Sequence, residues 1–196
     1  MSLRPRVKAV ETPDAVRRLV GPLYFGTAIG AALAGAAIFL LLPTPVPAAV
    51  RAALCAAFLT YALFAAWAMR SSRRSSFPMN TALLAVSVIA LVMALAVSVA
   101  LGDGLRSPAI AFIALVVCML GAVAGVRHGV TLAGLSAVSI GALAWGHLSG
   151  RLPTLPGAVS VQVLCAIHWL LIGCGVAGGA LVSRVIDHYL ADSAQR

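Results

Sequence analysis

His168 is the chemistry-bearing side chain set deepest in an apolar stretch of this 196-residue chain. Cys165 precedes it by three residues, so on a helix the thiol and the imidazole share a face. Both groups ligate metals, and imidazole also serves as an axial haem ligand. His147 closes the preceding apolar stretch and is placed to approach from a neighbouring helix. A metal needs three or four converging donors, and a haem an axial ligand or pair. The plainer expectation is a neutral His168 hydrogen-bonded across a bundle, with a sensory role as the further one. Asp103 and Arg106 make a second polar pair, in a turn between two apolar stretches. These five residues are candidates for sensing. No catalytic, cofactor-binding or metal-binding residue is assigned, and no cofactor is expected.

Several kinds of chemistry lack their residues. The chain has no GxSxG, HExxH or P-loop pattern and no acidic cluster, so it is not expected to be an enzyme as it stands. Four cysteines (Cys55, Cys118, Cys165 and Cys174) lie in apolar stretches without a CxxC pair, the pattern of buried structural thiols. No Asp, Glu, Lys or Arg falls in the middle of an apolar stretch. Ion-coupled transport ordinarily uses such groups, which makes a pump or ion-coupled transporter a poor fit. The net charge of +9 does not form a basic face interleaved with aromatics, so nucleic acid is not an expected partner.

The elements that must hold these residues are helices in a bilayer. The chain is 62% hydrophobic and only 10% charged, too apolar for a water-soluble domain of this size. Stretches of helix-spanning length fall near 20–42, 49–69, 80–101, 108–126, 129–147 and 161–183. The first is too long for a signal-peptide core and is expected to remain as an uncleaved span. Pro43, Pro45 and Pro47 break the chain after the first span, and Asp103-Gly104 signals a turn after the third. Arg127-His128-Gly129 joins the fourth and fifth so tightly that a helical hairpin follows. Gly26/Gly30, Gly121/Gly125 and Gly175/Gly179 put small residues on single helix faces, as close packing in lipid requires. Of the 14 Lys and Arg, all but Arg51, Arg106 and Arg151 fall on one set of alternate connections and termini. By the positive-inside rule both termini are cytoplasmic. The expected fold class is therefore all-α, a polytopic bundle of six transmembrane helices.

Beyond the sixth span, Val182, Val185, Ile186 and Tyr189 continue an apolar stripe at helical spacing, with Arg184, Asp187, His188 and Asp192 on other faces. No Gly or Pro after Gly179 stops the helix. An output helix that joins a second copy in a coiled coil is the reading drawn from this, giving a homodimer through the sixth helix and tail. Three regions result: a basic N-terminal segment over 1–19, a transmembrane domain over 20–183 and a cytoplasmic helical tail over 184–196.

From the third span onward, over about residues 80–190, the chain resembles the multi-pass N-terminal sensor regions of bacterial signalling proteins. Those regions precede PAS, histidine-kinase or diguanylate-cyclase domains. The resemblance rests on Gly104-Leu105-Arg106-Ser107-Pro108, Gly125-Val126-Arg127-His128-Gly129, Leu132-Ala133-Gly134-Leu135-Ser136 and Gly150-Arg151-Leu152-Pro153. It implies a sensory input module in the bacterial inner membrane, such as that of a sensor histidine kinase in a two-component system. It carries no catalytic residues. The alternatives are a stand-alone small-molecule transporter or channel and, further off, a haem- or metal-binding membrane protein.

Overall fold

The computed structural model describes residues 13–41, 46–73, 78–153 and 160–195, with side chains over 20–41, 46–72, 78–153 and 160–188. Most of the basic N-terminal segment, Pro43, Pro45, Arg74, Arg196 and the side chain of Tyr189 lie outside the described residues. Among those described, six α-helices and one 3-10 turn account for the regular structure, and no strand occurs. The helices are α1 (Pro13–Leu41), α2 (Ala48–Arg73), α3 (Met79–Ala100), α4 (Pro108–Ala124), α5 (Val126–Leu148) and α6 (Val161–Gln195), with the 3-10 turn at Gly104–Arg106.

Five of the six contain segments long and apolar enough to cross a membrane: Val20–Leu41, Ala48–Ser72, Met79–Ala100, Val126–Leu148 and Val161–His188. The exception, α4, has 17 residues, a rise of roughly 26 Å against a hydrocarbon core of about 30 Å. Large apolar side chains cover the outside of the molecule: Leu41 is 75% exposed, Val138 73% and Leu63 73%. Water would penalise such a surface, whereas lipid tails solvate it. The chain is thus built as a membrane-embedded helical protein.

Local chemistry sets the helix ends. Ser107 caps α4 by accepting the Ala109 N–H, and Pro108 takes the first-turn position where no N–H is required. Gly125 alone separates α4 from α5, at φ 95° and ψ 159°, a conformation essentially confined to glycine. The reversal therefore falls at Gly125, not at Arg127-His128-Gly129, which already belongs to α5.

Contacts fix which ends meet. Gly21 in the first half of α1 lies against Met79 at the start of α3. Phe39, Leu54 and Val97 cluster at the end of α1, the start of α2 and the end of α3. Gly121, Gly129 and Gly179 meet where α4 ends, α5 begins and α6 passes. Arg70, Arg73, Arg127 and Arg184 consequently belong to the end where α1 enters, and Arg51, Arg106 and Arg151 to the opposite end.

The tightest junction is between α4 and α6. A Cβ on Gly175 would stand 2.5 Å from the Ala114 carbonyl oxygen, and one on Gly179 would stand 2.7 Å from that of Cys118. Backbone rests on backbone there, the arrangement small residues permit in lipid. Gly26 and Gly30 behave differently, since a Cβ on either would meet nothing within 4 Å.

Candidate functional site

His147 is the most constrained of the candidate side chains. It lies one residue before the end of α5 and is only 9% exposed. The chain reverses after it at Gly150, whose φ is 72°. The reversal returns Leu152 onto Gly146, where the Gly146 carbonyl accepts the N–H groups of Arg151 and Leu152 at 3.0 Å each. The turn delivers the Pro153 carbonyl to His147 Nδ1 at 2.8 Å. A carbonyl can only accept, so His147 donates through Nδ1 and Nε2 is its remaining ring nitrogen. That Nε2 is buried and has no hydrogen-bond partner.

Cys165 and His168 lie together on the buried face of α6, as their spacing requires. His168 does not reach across the bundle. Its Nδ1 donates instead to the Leu164 carbonyl of its own helix, at 2.7 Å. The i−4 carbonyl is in reach of any short polar side chain on a helix, and Thr27, Thr60 and Ser136 use theirs in the same way. Among the described residues, no group of three or more His, Cys, Asp or Glu side chains comes together to hold a metal ion.

Asp103, just before the 3-10 turn, and Arg106, its last residue, are both exposed and are tied through backbone: the Arg106 N–H donates to the Asp103 carbonyl at 2.9 Å. Inside this turn Leu105 is fully buried, and the Ser98 hydroxyl donates to the Gly104 carbonyl. On α6, Val182 and Val185 are 43% and 44% exposed, while Ile186 is half-buried.

Two hydrogen bonds that join helices of the bundle have no signature in the sequence. Ser87 donates to the Leu83 carbonyl at 2.7 Å, which leaves Tyr24 to donate to Ser87 at 2.5 Å and so bond α1 to α3. Trp169 Nε1 donates to the Ala137 carbonyl at 3.2 Å, bonding α6 to α5. Beside Ser87, a cavity of about 20 Å³ is lined by Ala90, Leu91, Phe112, Ile113 and Leu132 among others. It has room for about one water molecule. No family model matches the chain, nor does any curated protein or any solved structure.

Proposed function

We propose that this chain is the membrane-embedded input module of a bacterial signalling protein, with six spans and both termini on the cytoplasmic side of the inner membrane. The observation that carries the reading is the continuity of α6. One helix of 35 residues joins the level of Cys165 and His168 to the far tail. At 1.5 Å per residue it is about 52 Å long, roughly 20 Å more than a hydrocarbon core. Its buried face runs Cys165, His168, Ile172, Gly175, Gly179 and Ser183, all on one side. A change of packing at the end bearing His147, Asp103 and Arg106 would bias a single rigid element. A second copy would receive that bias through α6 and the tail.

Transport is the weaker reading, because several polar side chains in the described spans are engaged with backbone or with each other. Tyr24, Ser87 and Ser136 are examples.

The test is a chimera in which a dimeric histidine-kinase core follows Gln195. One to four residues are then inserted after Ile186. Each residue turns a helix by about 100°, so two insertions should change kinase output and four should largely restore it. Output that ignores the insertions would sink the reading.

A further inference from the structure

We infer that the junction of α5 and α6 at the α1-entry end binds an anionic phospholipid, with Arg127 and Arg184 holding its phosphate. The placement follows from the register of the two helices. Trp169 bonds Ala137, and Gly179 and Gly129 both pack on Gly121, so α5 and α6 run antiparallel. Extended by two residues, that register sets Arg127 level with about Leu181, and Arg184 lies within one further turn. Both arginines are exposed, and among the described residues neither guanidinium has a hydrogen bond or ion pair. Asp187, three residues past Arg184, is exposed and makes no ion pair with it. His128 is occupied through Nδ1 with the Ala124 carbonyl.

Apolar surface lies directly toward the membrane from both cations. Val130 is 51% exposed, one turn from Arg127, and Leu181 is 65% exposed, one turn from Arg184. Two guanidiniums above uncovered aliphatic side chains match a molecule with an anionic head and an acyl tail. A free phosphate would use the first half of this surface and not the second. The inference rests on the chain being embedded in a membrane and is independent of any signalling role.

The full chain, purified in neutral detergent, is titrated with phosphatidylglycerol and with phosphatidylcholine of the same acyl chains, and binding is read by native mass spectrometry. Each cation near an anionic lipid contributes roughly fivefold, so phosphatidylglycerol should bind at least about tenfold more tightly. Arg127→Gln/Arg184→Gln should abolish the preference. Arg127→Lys/Arg184→Lys and Arg51→Gln/Arg151→Gln should keep it, with helix content by circular dichroism confirming that each variant folds. Equal binding of the two lipids would overturn the inference, as would a preference that survives in the double Gln variant. Full competition by glycerol phosphate at the lipid's own concentration would also overturn it, since the tail would then contribute nothing.

Discussion

Tyr24 and Ser87 form a polar bond between α1 and α3. Phenylalanine at position 24 keeps the ring and loses the donor. Interhelical hydrogen bonds in membranes contribute about 0.6 kcal/mol on average and ~1.7 at most. Tyr24→Phe should therefore destabilise the bundle by an amount in that range. A double-mutant cycle with Ser87→Ala, read by unfolding in mixed micelles, should give a coupling of the same size. Tyr24 falls inside the first apolar stretch, but its partner is not legible in the sequence, because one of many serines in an apolar run looks like any other. His168 shows the complementary limit: its depth and its face were legible, its acceptor was not. A helix offers every polar side chain a local carbonyl, and spacing cannot reveal whether a distant one competes. The Pro153 carbonyl at His147 depends on a chain reversal through Gly150, which periodicity does not register.

Helix positions were read well from hydrophobic length, because lipid demands long apolar stretches and proline and glycine punctuate them. Between α4 and α5 the reading put the reversal too late. Arg127 and His128 suggested a polar turn, whereas the backbone needs only Gly125 to reverse. The glycine pairs were alike as patterns and unlike as structures. Gly175 and Gly179 sit on the backbone of α4, while Gly26 and Gly30 face open space. This contrast makes a prediction about α4 and α6. Gly175→Ala drives a methyl group into the Ala114 carbonyl and should cost about 1–3 kcal/mol, the usual range for overpacking. Gly30→Ala should be tolerated, with no loss of stability. Both are measurable by the same micelle unfolding, and equal effects would contradict the α4–α6 contact.

For the molecule as a whole, composition pointed to the bilayer, and the alternation of cations predicts an orientation that remains to be tested, since both are properties of the entire chain. The contribution of α4 is the point of decision, because it is shorter than its neighbours. With all native cysteines replaced, single cysteines at Arg106 and Arg127 should react with an impermeant maleimide from opposite faces of sealed vesicles. Labelling of both from one face would mean that α4 enters the membrane and returns. The prediction has the cysteine at Arg127 on the same side as one at Arg70, and that at Arg106 on the same side as one at Arg151.

The single-residue joint at Gly125 bears on how the protein is made. With a single residue between Ala124 and Val126, α4 and α5 are expected to settle in the bilayer together, as one hairpin. Nascent chains arrested before α5 emerges should consequently remain beside the translocon, and only longer ones should be released into lipid.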